Sequence, residues 1–152
     1  MFVLDSVAFL TRRHPQGELL TVPGVEPELV NRRSLEYHAQ LAAAGLQVSV
    51  ADVAALEQVE TAAQETGDAG VLSPVDLELL ALALERKATL VTDDFAMQNV
   101  AATLDISWLP VETDGIVKQL RWRWTCGGCR QRWDEPHGEC PTCGSELRRT
   151  RR

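Results

Sequence analysis

The sequence of 152 residues contains no long apolar run, few aromatic residues and only three histidines. No apolar stretch reaches the roughly 20 residues of a membrane-spanning helix, so we expect no association with a membrane. The first residues, MFVLDSVAFLTRR, differ from a secretory signal because an acid interrupts the apolar run and a basic pair follows it. No Ser, Cys or His arrangement pairs a nucleophile with a base. These absences exclude a Ser or Cys hydrolase and predict a cytoplasmic location.

Lysine is also scarce, and the charge is unevenly distributed along the chain. Residues 1–117 carry 18 acids against 6 Lys and Arg, whereas residues 118–152 carry 9 Lys and Arg against 4 acids. This asymmetry favours two parts with different tasks, although a salt-adapted host would also explain the acidic surface. An acidic body repels phosphate, so a nucleic-acid ligand would require bound cations or the basic C-terminal part.

Alternating strand and helix patterns predict an α/β fold, with a mostly parallel sheet flanked by helices. The clearest helix start is Ser73-Pro74-Val75-Asp76, which has a Ser cap, a Pro at the first position and an acid three residues after the cap. The expected strands are 2–4, 19–22, 46–50, 88–92 and 106–111, and the expected helices are a short one after Asp5, then 26–44, 52–66, 77–87 and 95–104. We expect a first domain over 1–115, a linker over 116–120 and a small β zinc ribbon with a basic tail over 121–152.

Four cysteines form two C-x2-C pairs, Cys126 with Cys129 and Cys140 with Cys143. Two such pairs at this separation are typical of a tetrahedral zinc site, in which each tight turn directs two thiolates at one ion. Two disulfides and a rubredoxin-like iron site are the alternatives. Four thiolates leave no open position on the metal, so we expect a structural Zn²⁺ that allows a small segment to fold.

Arginine and tryptophan alternate around the first cysteine pair, a pattern that fits base stacking beside phosphate contacts. The alternative is that the tryptophans pack the miniature core of the ribbon. The candidate RNA-binding residues are Arg121, Trp122, Arg123, Trp124, Arg130, Arg132 and Trp133.

Acidic residues stand at the ends of predicted elements in the first domain. They are Asp5, Glu28, Asp76 and the pair Asp93-Asp94, and Glu26 competes with Glu28. Each could simply cap or favour a helix N-terminus. Together they would crowd one edge of the sheet and repel one another unless divalent cations lay between them. Carboxylate oxygens suit Mg²⁺ or Mn²⁺, which activate water in two-metal nucleases.

Four segments, VLDSVAFL, TVPGVEPELV, LSPVDLELLALA and LVTDDFAMQNVA, resemble the successive motifs of PIN-domain nucleases. With the C-terminal cysteines, nearly the whole chain resembles the archaeal Nin-one-binding family of ribosome-maturation endonucleases. The resemblance implies a PIN fold and an acidic cluster of Asp5, Glu28, Asp76 and Asp93 or Asp94. It also implies that Asp5 and Asp76 are the main ligands of Mn²⁺ or Mg²⁺, with Glu28 and Asp94 supporting the metal or the water.

The activity that this resemblance implies is cleavage of single-stranded RNA to mature the 3′ end of small-subunit rRNA. Its partners would be precursor rRNA, the pre-ribosomal particle and possible assembly-factor proteins. Two alternatives stay open. One is a non-catalytic RNA- or ribosome-binding adaptor whose acids are helix caps, and the other is a PIN-type toxin ribonuclease.

Overall fold

The computed structural model describes residues 1–112, 115, 122–135 and 137–151 of the chain. The strands are β1 (Phe2–Leu4), β2 (Leu19–Thr21), β3 (Gln47–Val48), β4 (Thr89–Val91), β5 (Trp108–Leu109), β6 (Trp122–Cys126), β7 (Arg132–Trp133) and β8 (Leu147–Arg151). The helices are α1 (Ser6–Thr11), α2 (Val25–Glu28), α3 (Arg32–Ala43), α4 (Val53–Thr66), α5 (Pro74–Arg86) and α6 (Phe95–Thr103). Among these described helices, none combines the length and apolar character needed to cross a membrane.

The first five strands form one parallel sheet in the order β3-β2-β1-β4-β5. Its central strands are apolar because helices cover both faces, and Val3, Leu4, Leu20 and Leu90 are all fully buried. The predicted α/β class with a mostly parallel sheet is therefore confirmed. Since all five strands run the same way, the residues that follow β1 and β4 lie at the same edge of the sheet.

Helix α5 begins as the sequence predicts. The Ser73 hydroxyl accepts from Asp76 N over 3.1 Å, and Asp76 Oδ2 accepts from Ser73 N over 2.7 Å, which completes a capping box. Leu79, Leu80 and Leu82 of this helix are fully buried. The cap therefore fixes Asp76 in the first turn of a helix whose remaining length is anchored in the core.

The single helix expected over 26–44 is wrong, because the chain forms two helices there. Helix α2 ends at Glu28, and α3 starts after Asn31, whose side chain accepts from Ser34 N over 2.8 Å. Asn31 has an extended backbone conformation that interrupts the helix. Glu28 consequently lies at the end of a short helix and not inside a long one. The strands expected over 46–50 and 106–111 are also shorter, at two residues each.

The cysteine segment forms a separate three-stranded antiparallel sheet in the order β7-β6-β8. It packs on the turn between α4 and α5. A Cβ added to Gly67 would lie 2.9 Å from Trp122 Cβ, and the Arg149 guanidinium is paired with the Asp68 carboxylate. The predicted linker, 116–120, lies outside the described residues, so the domain boundaries stay a prediction.

Candidate active site and metal centre

Asp5 follows β1 directly and caps helix α1 at the carboxyl edge of the sheet. Its Oδ1 accepts from Ser6 N over 2.5 Å, and its Oδ2 accepts from the Thr92 hydroxyl over 2.6 Å. The residue is buried. Burial raises the pKa of the Asp5 carboxyl, the bonds from Thr92 and Ser6 oppose that rise, and the charge of Asp76 adds to it. A buried carboxylate is thus held in one orientation near a second acid.

Glu28 belongs to the same group of acids. Glu28 is exposed, yet partial desolvation of its carboxyl raises its pKa most, and the charges of Asp5 and Asp76 raise it further. The structure therefore brings together three acids from three different elements, Asp5 after β1, Glu28 at the end of α2 and Asp76 at the start of α5. We call these three residues the acidic cluster. The competition between Glu26 and Glu28 is resolved in one respect, since Glu28 interacts with the other two acids.

Asp93 and Asp94 diverge although they are adjacent in sequence. Asp94 caps α6, because its Oδ1 accepts from Ala96 N over 2.6 Å, and its own N donates to the Thr92 hydroxyl over 3.1 Å. Asp93 Oδ1 accepts from Val111 N over 2.8 Å. Asp94 is thus linked to Asp5 through Thr92, whereas the Asp93 carboxylate holds the segment that follows β5. Their predicted catalytic roles stay predictions.

The acidic cluster has the donor chemistry of a site for hard divalent cations. Repulsion from neighbouring carboxylates contributes to the raised pKa of Asp5 and of Glu28, and a cation placed between the acids would remove that repulsion. Within the described residues, however, the cysteines form the only set of three or more ligand atoms that all lie within 4.8 Å.

The four cysteines form a compact group suited to one metal ion. Their sulfur atoms all lie within 4.8 Å of one another, with Cys126 Sγ 3.4 Å from Cys143 Sγ and Cys129 Sγ 3.6 Å from Cys140 Sγ. All four are free cysteines. Cys126 and Cys140 are buried and the other two are exposed, so the site sits at the surface of the ribbon. Four sulfur donors at these distances fit a single tetrahedral ion.

Backbone geometry around the cysteines supports the same conclusion. The amides of Gly128 and Cys129 donate to Cys126 Sγ over 3.3 and 3.4 Å, as expected for a sulfur that carries negative charge. Hydrogen bonds, of which that to the Ser145 side chain has the largest effect, lower the pKa of the Cys143 thiol to about 6. The pKa of the Cys129 thiol rises to about 12, because the lowering effect of the Gln131 backbone is outweighed by desolvation and by the bonds to the other three cysteines. A Cβ at Gly128 would lie 2.5 Å from Ser145 Oγ, so a side chain there would displace Ser145. The turn therefore brings backbone amides and the Ser145 side chain close to the sulfur atoms.

The tryptophans of the ribbon serve mainly as packing residues. Trp124 and Trp133 are paired across β6 and β7 and pack against the buried Cys126, Cys140 and Leu147. The Trp122 ring lies 4.5 Å below the Arg149 guanidinium at the contact with the first domain. All three rings are half-buried. Their predicted role in stacking RNA bases stays a prediction.

Three arginines of the ribbon share the face of its sheet opposite to Trp122 and Trp124, which we call the outer face. Thr125 is paired with Arg132 on one side and Arg148 on the other, so these three residues share a face with Arg123, two positions earlier in β6. Arg130 is exposed beside the first cysteine pair, and Arg121 lies outside the described residues. The sequence pattern did not single out Arg148. The signal that could have indicated Arg148 is its position directly after the apolar Leu147 in a strand, where alternate side chains point to opposite faces.

Thr92 is the second residue that sequence reasoning missed. It is fully buried, and its hydroxyl connects Asp5 Oδ2 with Asp94 N. A threonine directly before an acidic pair at the end of a strand could have indicated such a role.

The parallel sheet and the acids gathered at its carboxyl edge define a nuclease domain of the PIN type. The family model described as "PIN domain of ribonuclease" matches residues 2–85. The chain is 38% identical to endoribonuclease Nob1 of Pyrococcus abyssi over 96% of this chain and 91% of the relative. It is 36% identical to Nob1 of Archaeoglobus fulgidus (95% and 87% of the two chains). It is also 34% identical to ribonuclease VapC1 of Thermoplasma acidophilum (98% and 77%).

The chain therefore belongs to the PIN-domain ribonucleases, in the Nin-one-binding (Nob1) family of archaeal endoribonucleases. The resemblance seen in the sequence is confirmed, as is the assignment as an endoribonuclease. Because the alignments cover almost the entire chain, membership rests on the cysteine segment as well as on the PIN domain.

Proposed function

We propose that this protein is a divalent-metal-dependent endonuclease that cuts single-stranded RNA and matures the 3′ end of small-subunit rRNA. The observation that carries the metal dependence is the acidic cluster, in which the charge of Asp76 helps to raise the pKa of Asp5, and the charges of Asp5 and Asp76 help to raise the pKa of Glu28. The names of the relatives, endoribonuclease Nob1, support the choice of RNA and of ribosome maturation. Precursor rRNA in a pre-ribosomal particle, with assembly-factor proteins, would be the partners, and the cytoplasmic location stays a prediction.

The ions we propose are Mn²⁺ or Mg²⁺ at the acidic cluster and Zn²⁺ at the four cysteines. When bound, the first would supply an activated water and charge stabilisation at the scissile phosphate. Asp5 and Asp76 would hold it, with Glu28 and Asp94 orienting the water. The Thr92 hydroxyl keeps Asp5 Oδ2 in position, and the Ser73 amide does the same for Asp76 Oδ2. These bonds would reduce the reorganisation needed when the phosphate arrives.

The ribbon would position the RNA. Its outer face carries Arg123, Arg132 and Arg148, and it is attached at the turn that precedes Asp76. Arginines on an open sheet suit phosphate contacts that carry no sequence information. Deleting 120–152 should therefore weaken RNA binding and reduce its dependence on salt, and a deletion with native affinity would contradict this role.

The deciding experiment incubates the purified protein with a precursor rRNA fragment and Mn²⁺ and maps every new 3′ end. We expect Asp5→Asn to fold normally and to lose cleavage by at least about 100-fold, as removal of a metal ligand would. The matched control is Asp105→Asn, which removes an exposed acid from the opposite edge of the sheet. Unchanged cutting by Asp5→Asn would refute the proposal.

A second candidate is a PIN-type toxin ribonuclease acting on another RNA, which the similarity to ribonuclease VapC1 favours. That alignment covers 98% of this chain, which includes the cysteine segment. Small toxins of that class generally lack such a ribbon, and its presence here counts against this candidate. Cleavage of tRNA or mRNA in preference to the precursor fragment would support it. RNA binding with no cleavage under any divalent cation would instead support a non-catalytic adaptor.

A further inference from the structure

Basic residues are rare in the PIN domain, and they come in adjacent pairs. Of the six Lys and Arg up to residue 117, four form the pairs Arg12-Arg13 and Arg32-Arg33. The first pair follows α1 and the second opens α3, and these two helices pack on each other. The other two, Arg86 and Lys87, lie at the amino edge of the sheet, between α5 and β4. Four of the six basic side chains therefore belong to two helices that pack on each other.

Aromatic contacts position the segment Arg12–His14, which we call the basic segment. The Arg12 guanidinium lies 5.1 Å above the Tyr37 ring, and the His14 ring centroid is 6.0 Å from that of Tyr37. Tyr37 lies one helical turn after Arg33, so the two side chains share a face of α3. Arg12 has a left-handed backbone conformation with φ of 58°, which turns the chain out of α1. Contacts of both Arg12 and His14 with the Tyr37 ring therefore position this segment.

A depression of about 230 Å³ opens beside this segment. Arg13 and His14 form one wall, and Val91, Leu109 and Val111 form the other. Its size is below the range of about 300–1,000 Å³ that drug-sized ligands occupy, so it suits one small ring system. Leu109 is 42% exposed at its rim, which leaves an apolar surface open to solvent. We call this depression the base pocket.

The base pocket adjoins the carboxyl edge of the sheet through direct hydrogen bonds. Asp5 N donates to Val91 O over 3.2 Å, and Asp93 Oδ1 accepts from Val111 N over 2.8 Å. Two wall residues are thus bonded to residues at the edge where the acidic cluster lies. The Asp93 carboxylate holds the second wall of the pocket.

We propose that the base pocket receives one unpaired nucleobase of the RNA next to the scissile phosphate, and that Arg12 and Arg13 bind the adjoining phosphates. This inference rests on the proposed function. An apolar wall opposite a cationic one matches the chemistry of a nucleotide, since the base packs on carbon surface and the phosphate pairs with guanidinium. A base in a duplex could not enter, which would explain a preference for single strands. Arg13 lies 4.0 Å from Glu112, but both side chains are exposed, so a phosphate can displace this weak pair.

The test measures binding of a labelled ten-nucleotide single-stranded RNA to full-length Asp76→Asn protein, without Mn²⁺. Arg13→Ala in that background should raise Kd at least about fivefold and lower the salt slope by about one. The matched control is Arg86→Ala, which removes the same charge from the opposite edge of the sheet. Binding of a duplex RNA should change equally little in both variants. Equal Kd values for Arg13→Ala and Arg86→Ala with the single strand would overturn the inference.

A second arm tests the pocket itself. An abasic nucleotide scanned along the RNA should weaken wild-type binding at one position, and Leu109→Ser should abolish that position-specific effect. A position-specific loss that persists in Leu109→Ser would place the base elsewhere and overturn the inference. Cleavage with Mn²⁺ is measured separately. If the protein cleaves RNA normally but Arg13→Ala binds RNA like Arg86→Ala, only the base-pocket proposal is refuted. If the protein does not cleave RNA but Arg13→Ala still weakens binding, only the nuclease proposal is refuted.

Discussion

The hydroxyl of Thr92 donates to Asp5 Oδ2 over 2.6 Å and so ties the acid that follows β1 to the end of the neighbouring strand, β4. Thr92 is fully buried, and its hydroxyl also accepts from Asp94 N. One oxygen therefore couples two acids that the sequence separates by 89 positions. Such second contacts orient metal ligands and usually affect activity almost as strongly as the ligands themselves.

Thr92→Val should lower Mn²⁺-dependent RNA cleavage by about 10- to 100-fold, because Asp5 loses the bond that fixes its orientation. The fold should persist, since valine has nearly the same shape. The control is Thr21→Val, which removes an equally buried hydroxyl from β2 that donates to Leu4 O over 2.9 Å and touches no acid. The measurement is the rate of RNA cleavage by both variants at saturating Mn²⁺. An equal loss of rate in the two variants would show that Thr92 affects cleavage only through the stability of the fold.

Much of this arrangement follows from local sequence signals. The capping box at Ser73 and the C-x2-C turns are set by residues a few positions apart, so the sequence predicts them well. The break between α2 and α3 was missed because its signal, Asn31 capping Ser34, lies within a polar stretch that also suits a continuous helix.

The sequence does not predict the directions of side chains or the contacts between residues that are far apart in the chain. Asp93 and Asp94 are neighbours, yet one reaches the segment after β5 and the other caps α6. The direction of each depends on backbone angles that spacing does not reveal. The pairing of Asp68 with Arg149 joins residues 81 positions apart and depends on how the ribbon packs.

The acidic cluster should make stability depend on pH when no divalent cation is added. A carboxyl whose pKa is raised by folding binds more protons in the folded state, so it destabilises the fold when ionised, and this cost disappears as the pH falls through the raised pKa. Folding raises the pKa of both Asp5 and Glu28 in this way, mainly through desolvation and in part through the charge of Asp76. We therefore expect Asp76→Asn to have a higher Tm than wild type at pH 7, with the difference shrinking toward pH of about 4, the ordinary carboxyl range.

Calorimetry from pH 4 to 7 measures this difference, with Asp105→Asn as the control acid outside the cluster. Added Mn²⁺ should reverse the order at pH 7, because the wild type binds the ion more tightly and gains more stability from it. A Tm for Asp76→Asn that is lower than wild type throughout, with or without Mn²⁺, would mean that Asp76 serves only as a helix cap.

Removing one buried thiolate should unfold the ribbon and leave the PIN domain intact. Cys140→Ser deletes a ligand from a segment whose own core consists of Cys126, Cys140 and Leu147 with two tryptophans packed on them. Such small units fold only with their metal. We expect one zinc per chain in the wild type and none in the variant, with a red-shifted tryptophan emission and an unchanged helical circular dichroism signal.

The matched control for the zinc site is His137→Ala. His137 stands between the cysteine pairs, with its ring 5.4 Å from that of Trp133 and nearly perpendicular to it. The His137→Ala variant should keep the full zinc content, since four sulfur atoms already complete the coordination. Loss of zinc in His137→Ala with retention in Cys140→Ser would show that the ligand set has been assigned wrongly.

The ion pair between Asp68 and Arg149 should fix the orientation of the ribbon on the PIN domain. The Asp68 carboxylate is buried, with its side chain 2% exposed, and it also accepts from Asn99 Nδ2 over 2.6 Å. Asp68→Ala leaves a guanidinium without its anion and opens the contact, which should cost up to about 3 kcal/mol where the pair is shielded from water. We expect most of the effect to appear as faster rotational tumbling of the ribbon in NMR relaxation, because the zinc site that we propose would keep the ribbon folded after this contact opens. Glu36→Ala, which removes the exposed partner of Arg32, should change stability by less than about 0.5 kcal/mol and leave the tumbling unaltered. Ribbon and PIN domain that continue to tumble as one body in Asp68→Ala would mean that other contacts, such as that of Gly67 with Trp122, are enough to hold them together.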